Sequence, residues 1–185
     1  MNGLMLVIVL HLQIGLGRDV LSAGLTLLPW SAGSAVASLA AGTVLVPRFG
    51  DRVMFAGLAV LAAGLAAAVA AYACTPVGSG ALLAALAVSG VGLGLFTVPF
   101  FTAALSQVSP QETGSAAGLL NAVQQLGATL GVAVLGAVFL HGLGRSGPAA
   151  AVEQTFWVAL ALTGLAAATA AAMRTSTSRM VGVGR

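Results

Sequence analysis

Three side-chain amides, Asn121, Gln124 and Gln125, stand inside a long uncharged stretch of the chain. At about 100° per residue in an α-helix, Gly118, Asn121, Gln125, Thr129 and Gly136 share one narrow face, with Gln124 at its side. An amide both donates and accepts hydrogen bonds, so this face either binds a neighbouring helix or meets a polar solute in a wet cavity. Gln13, Trp30, Phe96 and Phe100 are the further candidates for lining such a path. Phe96, Phe100 and Phe101, beside Pro99, make either an aromatic wall for a hydrophobic cation or ordinary helix packing.

The residue types needed for bond-making chemistry are scattered. His11 and His141 have no nucleophile, acid or second histidine at useful spacing, and Asp19, Asp51, Glu112 and Glu153 lie at the ends of apolar runs rather than within them. A lone cysteine, Cys74, excludes an internal disulfide and any multi-cysteine metal site. No Walker A sequence is present. No catalytic residue, metal site or cofactor is therefore expected. His11 reads as a hydrogen-bonded residue near a helix end, with proton transfer as the rarer alternative.

Composition explains what has to hold the amides in place. Of the 185 residues 59% are hydrophobic and 6% charged, with a mean hydropathy of +1.06, whereas a soluble domain carries roughly 25% charged residues. Lysine is absent, and the seven arginines are dispersed, so the net charge of +3 forms no stripe for a nucleic-acid backbone. The expected partner is the lipid bilayer.

The charges bound uncharged runs at 1–17, 20–47, 53–111, 113–144 and 154–173. A bilayer core about 30 Å thick takes ~20 helical residues. The longest run holds two crossings, separated by the turn-forming Thr75-Pro76-Val77-Gly78-Ser79-Gly80. Six helices follow, at about 2–17, 21–46, 53–74, 80–105, 110–141 and 150–173, giving an all-α membrane bundle over 1–173 and a tail over 174–185. Arg48, Arg52, Arg174, Arg179 and Arg185 fall on one side and Arg18 and Arg145 on the other, which predicts a multi-pass protein of the cell membrane with both termini cytoplasmic. Ser109-Pro110-Gln111-Glu112 has the pattern of a capping box, with Ser109 as N-cap and Glu112 closing it, so that a proton-carrying Glu112 is the minor reading. Pro29 and Pro99 each remove a helical hydrogen bond. The first helix is short and no basic residue precedes it, which predicts that earlier helices are missing from this chain.

An offset of 94 residues pairs Gly24, Gly33, Gly42 and Gly50 with Gly118, Gly127, Gly136 and Gly144, and an offset of 100 aligns the alanine-rich runs that begin at Gly64 and Gly164. The chain thus reads as two three-helix repeats. An odd number of crossings per repeat requires them to be inverted, a plan found in secondary transporters.

Ser22-Ala23-Gly24-Leu25-Thr26-Leu27-Leu28-Pro29, Pro47-Arg48-Phe49-Gly50-Asp51-Arg52 and the run from Gly114 to Gly127 resemble the last six helices of major facilitator superfamily transporters. The likeness is strongest to drug:proton antiporters of the fourteen-helix, EmrB/QacA-type branch. The resemblance implies half of a major facilitator fold and export of hydrophobic, often cationic, small molecules with protons as coupling ion, by rocking against an N-terminal bundle absent from this chain. Gly42, Arg48, Gly50 and Arg52 match Gly and Arg positions of the family's cytoplasmic loop motif. Pro47 stands near the place of its aspartate, with one extra residue after Gly42. The family's proton-carrying acids and glycine-proline motif belong to the first half and are not found here. The competing expectation is a six-helix scaffold or assembly protein that transports nothing.

Overall fold

The computed structural model describes residues 1–50, 52–74, 80–106 and 108–182, all helical apart from the joints. Helix α1 is Asn2–Leu10 and continues through a π turn at His11–Gly15; α2 is Val20–Thr26 and α3 Leu28–Ala40. A second π turn, Ala41–Leu45, leads into α4, Val46–Phe49. Helices α5, Arg52–Cys74, α6, Gly80–Leu105, α7, Thr113–Ser146, and α8, Pro148–Gly182, complete the chain. The expected turn at Thr75 to Ser79, Asp51 of the loop motif, and Arg185 at the chain end lie outside the described residues.

Among the described residues, five segments are long and apolar enough to cross a membrane: Val20–Phe49, Arg52–Ala71, Gly80–Leu105, Thr113–Ser146 and Pro148–Ala170. The first of the six expected crossings differs, because Asn2–Gly15 joins a 9-residue α-helix to a 5-residue π turn and is shorter than the others. The second, expected as one helix over 21–46, is broken at Leu27. Pro29 has no N–H to continue the ladder; the Leu27 N–H instead bonds to the Gly24 carbonyl at 3.0 Å, and a new helix starts with Pro29 in its first turn. Asp19 caps α2, accepting from the Ser22 N–H at 3.3 Å.

The capping box expected at Ser109 to Glu112 is instead a turn that precedes α7. The Ser109 hydroxyl donates to the Glu112 carboxylate at 3.0 Å, so it does not cap the helix, and the Glu112 N–H reaches the Ser109 carbonyl at 3.0 Å. Helix α7 begins at Thr113, three residues later than expected, and runs past 141 to Ser146. Its last turn carries Arg145, which donates to His141 at 3.1 Å and complements the negative end of the helix dipole. Gly147, at φ +84°, takes the left-handed conformation that turns the chain directly into α8.

The helices pack as two groups. Helix α6 lies between α3 and α5, α7 lies against α1 and α8, and α5 meets α8 to join the groups, whereas α6 and α7 scarcely touch. The shared core runs from Leu4, Ile8 and Leu12 through Phe139 and Phe156 to Leu65 and Leu86, all fully buried. Close approach around α6 depends on missing side chains. A Cβ at Gly94 would sit 2.5 Å from the Ser34 carbonyl, one at Gly57 would sit 2.6 Å from the Phe96 nitrogen, and one at Gly90 would collide with the Trp30 carbonyl. Between α1 and α7, a Cβ at Gly3 would strike the Gly131 carbonyl.

The repeated glycines differ in surroundings. Gly33 packs against α6, where a Cβ would lie 2.6 Å from the Ala87 carbonyl, whereas its counterpart Gly127 has open space around it. Gly42 has Val98 at 3.7 Å, and Gly136 has no neighbour within 4 Å.

Substituting Gly90 or Gly94 by valine therefore forces α3 and α6 apart, at an expected cost of ~1–3 kcal/mol from overpacking. A lower unfolding temperature in detergent checks this, with Gly118→Ala, which fills open space, expected to leave the transition in place.

Candidate functional site

The space between the two helix groups is a cavity of about 510 Å³, within the roughly 300–1,000 Å³ common for small-molecule sites. Helix α3 supplies Ser34 and Ser38, α6 Leu93 and Thr97, and α7 Gln124, Gln125, Gly127 and Ala128; Met1 and Asn2 close it from α1. The glycine contacts set these positions. Gly94 brings α6 against the backbone at Ser34 and Ser38, and Gly3 brings α1 against α7 at Gly131.

The hydroxyls and amides of the spans are satisfied in different ways. Thr97 donates to the Leu93 carbonyl at 2.8 Å, Thr129 to Gln125 at 2.9 Å, Ser89 to Ala85 at 2.9 Å and Thr163 to Ala159 at 2.9 Å. Each returns its proton to its own helix four residues back. Among the described residues, the side chains of Ser34, Ser38, Gln124 and Gln125 have no hydrogen-bond partner. Gln124 and Gln125 are exposed on α7 and Ser34 and Ser38 are half-buried, so all four can bond to water, a polar solute or a neighbouring helix. Among the described residues, no ionisable side chain lines the cavity.

A second cavity of about 270 Å³ adjoins the first and shares Met1, Leu93 and Gly127 with it. Its wall is Leu4, Leu58, Leu61, Phe96, Gly131, Leu135, Ala159, Leu162, Thr163 and Ala166. Phe96 stacks on Phe100 with ring centroids 5.4 Å apart and planes at 24°, and Phe101 meets Phe100 edge-on at 5.7 Å.

Of the residues singled out from sequence, Gln125 lines the polar cavity and Phe96 the apolar one. Asn121 is exposed on α7 about one turn before Gln125, and Phe100 is exposed beside its stacking partner. Trp30 is 2% exposed, buried in the core with its backbone against Gly90. Gln13 is half-buried within the π turn that ends α1. Gln124, read from sequence at the side of the amide face, lines the polar cavity with Gln125, joined by Ser34, Ser38 and Thr97, for which the four-residue spacing of Ser34 and Ser38 on one helical face was the available signal. In the loop motif, Gly42 sits in the π turn before α4, Gly50 adopts φ +55°, and Arg48 and Arg52 are exposed on either side of it.

A helical bundle whose apolar spans border an open polar cavity fits a membrane transporter, and the family model of the Major Facilitator Superfamily matches residues 1–183. The chain belongs to this superfamily. It is 42% identical over 150 residues to the protein named "Probable actinorhodin transporter" of Streptomyces coelicolor, covering 80% of this chain and 26% of that protein. It is 36% identical over 162 residues to "Puromycin resistance protein pur8" of Streptomyces alboniger, covering 83% and 32%. Identity to "Drug efflux pump JefA" of Mycobacterium tuberculosis is 34% over 154 residues, covering 79% and 28%. The chain thus spans roughly a quarter to a third of the length of these relatives, which are named as transporters or resistance proteins and not as enzymes.

If the cavity holds water, cysteines placed in it are reactive. In a Cys74→Ser background, Ser38→Cys and Gln125→Cys are expected to react quickly with a water-soluble thiol reagent. Phe139→Cys and Val152→Cys, at fully buried positions, are expected to stay unlabelled, as read by mass spectrometry.

Proposed function

We propose that this chain is the C-terminal six-helix bundle, over 1–173, of a multidrug exporter that is driven by protons and works against a second, N-terminal bundle. The observation that carries the reading is the set of uncommitted polar groups on Ser34, Ser38, Gln124 and Gln125 around a cavity of about 510 Å³ within membrane-crossing helices. A bundle that served only as a scaffold would pair such groups with neighbouring helices, as its threonines already pair with their own.

The surface of α7 supports a partner bundle. Leu119, Val123, Leu126 and Leu130 are 58% to 68% exposed on the same helix that presents the amides. An apolar, amide-bearing face of this kind suits the inner side of a two-bundle carrier. Three pairings support inverted repeats: the second expected helix packs on the fourth as the fifth packs on the first, and the third packs on the sixth, while the extensive α5–α6 contact has only a slight counterpart between α8 and α1. Exchanging the two repeats leaves those three pairings unchanged. The arginine count supports cytoplasmic termini in a cell-membrane protein. The relatives' names, which speak of actinorhodin, puromycin and drug efflux, support a small organic molecule as cargo.

Membrane vesicles test the reading. Vesicles carrying this chain alone are expected not to accumulate a fluorescent drug under an imposed pH gradient, and to do so when the N-terminal bundle of the Streptomyces coelicolor relative is co-expressed. Accumulation by the chain alone overturns the half-transporter assignment. Failure of every tested drug to protect Gln125→Cys from labelling overturns the assignment of a solute path.

A further inference from the structure

We infer that the two joined cavities recognise an uncharged, amphipathic solute, with a hydroxyl- or carbonyl-bearing edge in the polar lobe and a flat apolar body in the other, in preference to a cation of the same shape. The inference rests on the solute-path reading above and names the chemistry of its cargo. The polar lobe offers hydroxyls on Ser34 and Ser38 and amides on Gln124 and Gln125, groups that serve donors and acceptors alike. Among the described residues no carboxylate lines it or the apolar lobe formed by Leu61, Phe96, Leu135 and Leu162. The one hydroxyl in the apolar lobe, on Thr163, is already bonded to the Ala159 carbonyl at 2.9 Å.

A cation in this space would give up its hydration and find no counter-charge, the costliest way to bury an ion. An aromatic face is the remaining way to hold one. Phe96 has one face covered by Phe100 at 5.4 Å, which leaves a single ring face for the purpose. A neutral edge loses less on leaving water and regains hydrogen bonds from the four uncommitted side chains. The two lobes share Met1, Leu93 and Gly127 in their walls, so the inferred solute lies across that shared wall with its edge on one side and its body on the other. The four polar side chains read the edge by hydrogen bonding.

A matched series of probes tests this on the full chain in lipid nanodiscs: 1-pyrenemethanol, 1-pyrenemethylammonium and unsubstituted pyrene. Binding is read by energy transfer from tryptophan, with empty nanodiscs subtracted. The alcohol is expected to bind about tenfold more tightly than the ammonium, the scale of one or two net hydrogen bonds. Q124L/Q125L is expected to abolish the alcohol's advantage over pyrene while pyrene binding persists. S34A/S38A, on the opposite wall, is expected to reduce the same advantage, so the result does not depend on one variant folding. Equal or tighter binding of the ammonium overturns the inference and leaves the solute path standing. Absence of binding by all three probes overturns both.

Discussion

Everything in this bundle depends on how closely the backbone of α6 lies against its two neighbours. Water squeezes no apolar surface together inside a bilayer, so helices associate there by contact, and contact improves as side chains shrink. Gly90 and Gly94 meet α3 at Trp30 and Ser34, while Gly92 and Gly57 let α5 approach from the other side. One methyl group at any of these places would occupy the position of a backbone atom. The resulting three-helix slab holds Ser34, Ser38, Leu93 and Thr97 in fixed relation, and the polar cavity takes its shape from that slab and from the α1–α7 pair facing it.

Within this frame, polar groups sort by reach. Threonine hydroxyls are close enough to their own backbone to bond four residues back, so Thr97, Thr129, Thr155 and Thr163 add polarity to the sequence without any demand on the surroundings. Glutamine side chains are too long for that and project outward. The amides are therefore the groups that distinguish a wet path from a dry bundle, and they cluster on α7 where α6 does not cover it.

Much of this was legible from charge and turn residues. Helix α5 begins at Arg52, where the charge ends the apolar run, and α6 spans 80 to 105 as expected. The break before Pro29 follows from a missing N–H. The π turns at His11–Gly15 and Ala41–Leu45 left no such mark, since one extra residue per turn changes neither composition nor hydropathy. At Ser109 the local pattern misled: serine and glutamate fit a capping box, and in the fold they bond to each other. Gln125, picked out by helical spacing, and Phe96, picked out with the aromatic cluster at Pro99, each line a cavity, whereas Trp30 is buried against α6, because spacing does not reveal which side of α3 α6 covers. Ser34 and Ser38 were hidden among other serines and threonines of the same helix. The glycine repeat shows the same limit, for Gly33 and Gly127 occupy matching places in the sequence and opposite environments in the fold.

That contrast between the two walls has a consequence for how such a protein changes over generations. On the α6 wall Gly90, Gly92 and Gly94 are stability requirements, and mutation at them is closed off. On the α7 wall Gly118, Gly127 and Gly136 border empty space, so new side chains can enter and reshape the path without disturbing the packing that holds the helices together. Fold and selectivity are then inherited on different helices, and a lineage exposed to a new toxic compound can alter one while keeping the other.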